Sequence, residues 1–398
     1  CRPANPAKGL PLDGMKPRIA TLSTLMLLLT RALAQPEAPV RNLDLNYFYG
    51  SILLHNTDIS HLIRTHPAGA ILGWNTKTYG EEAWQSAYNY PDTGLSFIYQ
   101  DMRNATLGEN FGLYAHYNFY FFRRNLQLRI GQGVAYNTNP YDPVENFRNN
   151  AYGSHLLSST YLMLQFYRQR VWDRLGFRAG FTLVHYSNAN VRAPNTSTNT
   201  FGLTAGLVYD LQAADRAYAQ PATARGVPIG PAAVAGEGSG GPAGGRNERL
   251  RANLVFRSGV NESDVVGSGQ FPFYIFSAYV DKRLGRLSAL HVGTDVYYSN
   301  FLKELIRFQA TSFPELGVAP DTDYKRAGVF LGHELFVNKL SVVTQFGYYV
   351  YYPFDFEGRT YNRVGIKRYF GPKWFGAISL KSHGAKAEAL EFGLGIRL

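Results

Sequence analysis

Much of the chain alternates between apolar and polar residues in segments of about ten, which glycine, proline, asparagine and aspartate separate. Successive side chains of a β-strand point to opposite faces, so this alternation predicts strands with one apolar face and one small or polar face. In the last segment, Leu390, Phe392 and Leu394 alternate with Glu391 and Gly393. Clear segments of this kind cover residues 112–121, 128–136, 177–187, 201–210 and 390–398.

This repeated pattern predicts an all-β protein, a transmembrane antiparallel β-barrel of the outer-membrane type with about 12–16 strands. Charged residues such as Arg129 and Glu391 fall in the middle of segments, opposite the apolar face, as a hydrated lumen allows. Barrel closure would pair every backbone group, since unpaired groups in hydrocarbon cost several kcal/mol each. A soluble β-sandwich or lipocalin-like barrel, with its apolar faces turned inward, is the alternative.

Composition narrows the class of protein further. The chain has 398 residues, 45% of them hydrophobic and 15% aromatic, yet no internal apolar run of about 18–20 residues that would span a bilayer as a helix. A formal charge of +11 is compatible with an anionic glycolipid surface. No cluster of basic residues with interleaved aromatics stands out, so we do not expect nucleic acid as a partner. The single cysteine, Cys1, can form no intrachain disulfide.

The chain divides into four regions by composition. Residues 1–34 are predicted to be upstream residues and a cleaved signal peptide, with a basic start at 15–18, an apolar core at 19–29 and small residues at 32–34. Residues 35–211 are predicted to hold the N-terminal barrel strands. Residues 212–249 are rich in alanine, glycine and proline and are predicted to be a flexible linker loop. Residues 250–398 would form the C-terminal barrel strands, for which the pattern suggests no role.

A candidate chemical site lies at the end of the 177–187 segment. His185 and Ser187 end the apolar face of this strand, where a histidine can act as the base that activates a serine hydroxyl. Asn188 follows and could donate a hydrogen bond to a developing oxyanion. Asn199 enters the next strand in phase with Phe201, so we expect it beside His185 across the hairpin. The alternative is a hydrogen-bonded cluster in a surface loop.

The residues from His185 to Asn190, followed by Pro194 and Asn195 and then a strand, resemble the motif of the outer-membrane lipid A 3-O-deacylases, also called the acyloxyacyl hydrolase family. Residues 381–388 look like those of the longer bacterial members. The resemblance implies an outer-membrane barrel whose serine hydrolase site faces the outer leaflet and cleaves an ester-linked acyl chain from lipid A. It implies His185 as base, Ser187 as nucleophile and Asn188 as the oxyanion-hole side chain.

One position departs from the family pattern. The short members carry a glutamate fourteen positions after the histidine, where this chain has Asn199. An asparagine can hold an imidazole in one tautomer, but it carries no charge to stabilise imidazolium. Either Asn199 or another, acidic residue would therefore orient His185, and a slower enzyme or lost activity are further alternatives.

Together these observations predict an integral protein of the bacterial outer membrane that acts as a serine esterase on lipid A, or lipopolysaccharide. A non-catalytic, porin-like or structural barrel is the alternative. No phosphate-binding loop, dinucleotide fingerprint or zinc spacing occurs in the sequence, so no cofactor or metal is expected. The pattern does not reveal which acyl chain is cleaved or the oligomeric state.

Overall fold

The computed structural model describes residues 39–213, 250–263, 265–384 and 386–398, and β-strands account for most of them. The predicted signal peptide, and the predicted linker apart from residues 212–213, lie outside the described residues. The strands are β1 (Arg41–Ile52), β2 (Ala68–Thr76), β3 (Asp92–Asp101), β4 (Glu109–Phe121), β5 (Leu126–Asn137), β6 (Leu156–Trp172), β7 (Leu175–Ser187), β8 (Thr198–Asp210), β9 (Arg251–Glu262), β10 (Gln270–Arg283), β11 (Ser288–Ser299), β12 (Arg326–Val337), β13 (Leu340–Tyr351), β14 (Thr360–Tyr369), β15 (Trp374–His383) and β16 (Lys386–Arg397).

Helices occur only in connections within these described ranges. Helix α1 (Ala83–Ala87) lies between β2 and β3, and helix α2 (Phe301–Ser312) between β11 and β12. Single 3₁₀ segments cover Thr57–Leu62 and Pro314–Leu316. None of the helices in the described part of the chain is both long and apolar enough to cross a membrane.

The strands close into two separate barrels of eight. Strands β1–β8 pair antiparallel with their sequence neighbours, and β8 closes on β1; β9–β16 form the second barrel in the same way, with β16 closing on β9. The all-β antiparallel barrel class is confirmed, and the sixteen strands of the described residues lie within the predicted range. The sequence had suggested one cylinder, whereas each half of the chain closes on itself.

The outer surface of both barrels is apolar, whereas the inner surface carries the charged and polar strand residues together with buried aliphatic and aromatic side chains. Leu113 and Leu203 of the first barrel and Leu331 and Phe392 of the second point outward and are exposed. The residues that alternate with them point inward and are buried. This arrangement is the reverse of a soluble barrel, and it confirms the orientation that the alternating pattern predicted.

Paired charges fill the interior of the first barrel. Arg129 Nη2 lies 2.7 Å from Asp44 Oδ2, and Arg178 Nη2 lies 3.4 Å from the same oxygen. Arg129 Nε donates to Asn118 Oδ1 at 2.6 Å, and the His116 ring lies 2.7 Å from Asn75 Oδ1. An eight-stranded barrel has room inside only for its own side chains, and buried charges need partners, so these residues form a paired network beside a buried hydrophobic cluster that includes Phe48 and Ile98.

Paired charges also occupy the interior of the second barrel. The Arg363 guanidinium lies 2.9 Å from Asp295 and 2.6 Å from Glu391, and Lys367 Nζ lies 2.9 Å from Glu334. All five side chains are almost completely buried. The mid-strand charges that the sequence placed opposite the apolar face therefore neutralise one another.

The two barrels belong to one compact unit, Val40–Leu398, and touch each other directly. At one end, the β2–β3 connection reaches the second barrel, where Tyr88 donates its hydroxyl to the Phe336 carbonyl at 2.6 Å. Trp84 of helix α1 packs into an apolar cluster that includes Phe336 and Tyr369. At the other end, Glu262 at the end of β9 contacts the β7–β8 loop.

Candidate functional site

His185 lies on the outer face of β7, near the end of the strand. The pairing of β7 with β8 sets His185 opposite Asn199, and the two side chains meet with Nδ1 2.8 Å from Asn199 Oδ1. An amide oxygen can only accept a hydrogen bond, so Nδ1 must carry the ring proton. Nε2 is then the unprotonated nitrogen, the form that a general base requires.

Ser187 ends β7 and is almost completely buried, with 3% of its surface exposed. Its Oγ accepts a hydrogen bond from the Ala189 backbone N–H at 2.9 Å. The side-chain amide of Asn195 lies beside the same oxygen, with Oδ1 at 3.1 Å and Nδ2 at 3.0 Å. The turn that follows β7 therefore holds the hydroxyl in place.

His185 and Ser187 line the same cavity, of about 610 Å³. In the part of the chain that the structure describes, their side chains form no direct hydrogen bond, although the sequence suggested that they share a proton. The physical reason is that Asn195 and the Ala189 N–H already engage the hydroxyl. Such contacts commonly form only once substrate is bound, and rotation about one torsion of Ser187 would redirect its proton.

Asn188 lies in the turn rather than against the hydroxyl. Its Nδ2 donates to the Arg192 carbonyl at 2.6 Å and to Ser154 Oγ at 3.3 Å. Its backbone N–H donates to Asn195 Oδ1 at 2.9 Å. In this conformation the side chain braces the loop, so a role at an oxyanion would require it to leave Arg192.

Asn195 is a site residue to which the sequence pattern assigned no role. It contacts both Ser187 and the backbone of Asn188, and it lines the cavity. The only signal for Asn195 in the sequence was its place in the family motif, directly after Pro194. His55, from the β1–β2 connection, is a second such residue: its ring Nε2 lies 3.0 Å from the Thr196 carbonyl, and it also lines the cavity.

The second barrel contributes charged groups to the same cavity. Lys386 Nζ lies 3.0 Å from Glu357 Oε1, and both residues line the cavity. Partial burial alone would raise the pKa of the Glu357 carboxyl, but His383 and Lys386 outweigh it and hold this pKa below its usual range. The Glu357 carboxyl is therefore ionised at neutral pH.

The described residues include no group of three or more histidine, cysteine, aspartate or glutamate side chains arranged to hold a metal ion. Beside the Glu357–Lys386 pair, the cavity presents the His185 imidazole, the Ser187 hydroxyl and the Asn195 side-chain amide. Such a set suits transfer of an acyl group through a serine.

Two family models match the chain. The model described as lipid A 3-O-deacylase (PagL) matches residues 68–208, and the model described as acyloxyacyl hydrolase, C-terminal domain, matches residues 250–398. The first match contains β2–β7 and nearly all of β8, with His185, Ser187 and Asn199. The second contains every strand of the second barrel.

Other comparisons add little. No curated protein matches the chain. Among solved structures, a triple mutant of Rh. blastica porin is 8% identical, covers 91% of this chain and 100% of its own, and has a TM-score of 0.19. The Acinetobacter baumannii outer membrane protein Omp33 is 8% identical, covers 90% of this chain and 98% of its own, and has a TM-score of 0.17. Likenesses this weak carry no argument.

The family matches thus reach both barrels and include the strand pair that joins His185 to Asn199. The chain belongs to the lipid A 3-O-deacylase (PagL) family of acyloxyacyl hydrolases.

Proposed function

We propose that this protein is a serine esterase of the outer membrane that hydrolyses an ester-linked acyl chain of lipid A. The observation that carries the proposal is the contact between His185 Nδ1 and Asn199 Oδ1, beside a serine that lines the same cavity. This contact leaves the second ring nitrogen of His185 free to accept a proton. Membership of the deacylase family supplies the substrate class.

In the proposed reaction, the Ser187 hydroxyl turns from Asn195 and attacks the ester carbonyl while His185 Nε2 takes its proton. The bond to the alcohol of the lipid then breaks, and the imidazolium returns the proton to the departing alkoxide. Asn199 holds the ring in the correct tautomer throughout. An acyl-enzyme ester on Ser187 remains, and a water molecule, deprotonated by His185, releases the fatty acid.

The negative charge that develops on the ester oxygen needs hydrogen-bond donors. We assign this role to the Asn188 side chain, which would exchange its bond to the Arg192 carbonyl for one to the oxyanion. The Asn195 amide, 3.0 Å from Ser187 Oγ, is a second donor within reach.

The outer surface of the barrels supports placement in a membrane. Exposed leucine and phenylalanine side chains on both barrels would lie in hydrocarbon, while the closed strands pair their backbone groups. His185 shares the outer face of β7 with Phe177 and Phe181, so a lipid in the same leaflet could reach it.

Lipid A from cells that express the wild-type protein tests the proposal directly. Mass spectrometry should detect the loss of one acyl chain with the wild type and no loss with Ser187→Ala. Ser158→Ala is a matched control, because Ser158 pairs with Ser187 on the neighbouring strand and shares its outward direction. Acylation that is identical with wild type and Ser187→Ala would reject the serine mechanism.

The porin-like alternative predicts that the protein conducts ions across a bilayer, whereas the interior of the barrels predicts that it does not. Buried and paired charges fill the interior of each barrel, so planar bilayers that contain the purified protein should show no channel conductance. Open-channel conductance together with unchanged lipid A would favour the non-catalytic function.

A further inference from the structure

The second barrel forms much of the wall of the cavity that contains His185 and Ser187. The β13–β14 connection contributes Phe356, β15 contributes Leu380, and the start of β16 contributes Ala387. In a single barrel the outer face of β7 would meet only lipid. Here part of it meets the outer face of another barrel.

The two walls of the cavity differ in chemistry. The first barrel contributes mainly hydroxyl, amide and imidazole groups around Ser187, whereas the apolar side chains Phe356, Leu380 and Ala387 come from the second barrel. Lys386 and Glu357 add an ion pair on that side. The first-barrel wall therefore holds the reactive groups, and the second-barrel wall holds an apolar patch (Phe356, Leu380 and Ala387) beside an ion pair.

Packing within the second barrel holds the apolar patch in place. Phe356 belongs to a buried cluster with Phe301 and Leu302 of helix α2, and the rings of Phe301 and Phe356 lie 5.3 Å apart. Leu380 is partly buried, whereas Ile378, two residues earlier on the same outward face of β15, is 53% exposed. Strand β15 is thus partly covered at Leu380, beside the cavity, and open at Ile378.

Direct contacts fix the distance between the walls. Glu262 of the second barrel accepts a hydrogen bond from the Ala193 N–H at 2.9 Å, and its backbone N–H donates to the Asn190 carbonyl at 3.0 Å. Both partners lie in the β7–β8 loop, which directly follows Ser187 and contacts its hydroxyl. Tyr88 and Phe336 join the barrels at the opposite end.

We propose that the second barrel forms the acyl-binding wall of the site, so that Phe356, Leu380 and Ala387 receive the fatty acyl chain whose ester Ser187 attacks. This inference rests on the proposed esterase function. A volume of about 610 Å³ lies within the range of about 300–1,000 Å³ that small-molecule sites occupy. The acyl chain would gain affinity from the burial of its methylene groups against these side chains.

The test compares Leu380→Trp, which fills the cavity from the second barrel, with Ile378→Trp as a matched control on the same face. Purified variants in detergent micelles are assayed with p-nitrophenyl butyrate and p-nitrophenyl dodecanoate. We expect Leu380→Trp to lower kcat/KM for dodecanoate by about 10-fold or more, with less than about a 2-fold change for butyrate. Ile378→Trp should match the wild type on both esters.

A binding measurement separates this inference from the esterase proposal. In the Ser187→Ala background, fluorescence titration with a dansyl-labelled undecanoate reports acyl binding without turnover. Leu380→Trp should weaken binding by about 10-fold, and Leu380→Ala, which removes apolar contact without adding bulk, by about 3-fold. Ile378→Trp should not weaken it.

Equal binding by Leu380→Trp and the Ser187→Ala parent would overturn the acyl-wall inference, whatever the esterase assay shows. Equal loss with Ile378→Trp would also overturn it, because the effect would then not be specific to the cavity. Conversely, ester hydrolysis that survives Ser187→Ala would reject the serine mechanism and leave the binding result to stand alone.

Discussion

The side chain at position 199 decides how His185 can act. Asn199 accepts a hydrogen bond from the His185 ring at 2.8 Å, as a carboxylate would, but it adds no negative charge. It therefore fixes the tautomer but would not stabilise the imidazolium that the proposed mechanism forms. In this chain, Asn199 thus orients the base but gives it no electrostatic support, so the two contributions to catalysis can be separated.

Substitutions at this position separate the two contributions. We expect Asn199→Leu to lower kcat by about 10²-fold or more, because the ring loses the acceptor that fixes its tautomer. Asn199→Glu should retain or raise kcat, since a carboxylate accepts the same bond and adds charge. Esterase kinetics on the folded proteins provide the measurement, and full activity of Asn199→Leu would exclude the orienting role.

The Asn188 side chain offers a second test at the scale of a single residue. If its amide leaves Arg192 to bind the oxyanion, Asn188→Ala should lower kcat by about 10²–10³-fold with little change in KM. A drop in melting temperature with kcat retained would instead assign Asn188 a purely structural role in the loop.

The strands show which parts of the fold local sequence can predict. The alternation along β7 placed Arg178 inside and Phe181 outside, and the structure agrees. The predicted partnership of His185 with Asn199 followed from counting residues around a short hairpin. The register shift of β6 between Arg168 and Trp172, by contrast, has no counterpart in the alternation, because it depends on how two strands meet.

The buried charges inside the first barrel make a prediction about the stability of these strands. Asp44→Ala would leave Arg129 buried without its carboxylate, so we expect a loss of about 3–5 kcal/mol in the free energy of unfolding. Leu45→Ala, the next residue on β1 but outward-facing and 58% exposed, should cost less. Denaturant unfolding in detergent micelles measures both, and equal losses would contradict the role of the ion pair.

At the scale of the whole molecule, two barrels replace the single cylinder that the sequence suggested. Each set of eight strands has its own buried charge network, so each can close without the other. We propose residues 35–211 and 250–398 as the corresponding domains. The sequence pattern suggested no role for the C-terminal half. In the structure this half forms one wall of the cavity that contains His185 and Ser187.

Glu262 provides a test of cooperation between the barrels. Its carboxylate accepts hydrogen bonds from the backbone N–H groups of Ala193 and Gly267 at 2.9 Å, so Glu262→Ala would loosen the loop that holds the Ser187 hydroxyl. We expect kcat to fall by about 10-fold or more, with KM little changed. Glu262→Gln, which keeps one acceptor oxygen, should lie between the alanine variant and the wild type.

Glu315→Ala is the matched control, because Glu315 is exposed in a connection of the same barrel. It should leave kcat unchanged. If Glu262→Ala lowered the melting temperature of the protein but not kcat, the contact would stabilise the assembly without positioning the serine.

The sequence by itself determined the strands, their inward and outward faces, the family motif and the pairing of His185 with Asn199, because each depends on alternation or spacing along a short stretch of chain. Only the tertiary structure decided that the strands close as two barrels, that Asn195 holds the serine hydroxyl, and that Leu380 and Phe356 face His185 across one cavity. These contacts join segments far apart in the sequence. They follow from how closed barrels pack against each other, which local periodicity does not encode.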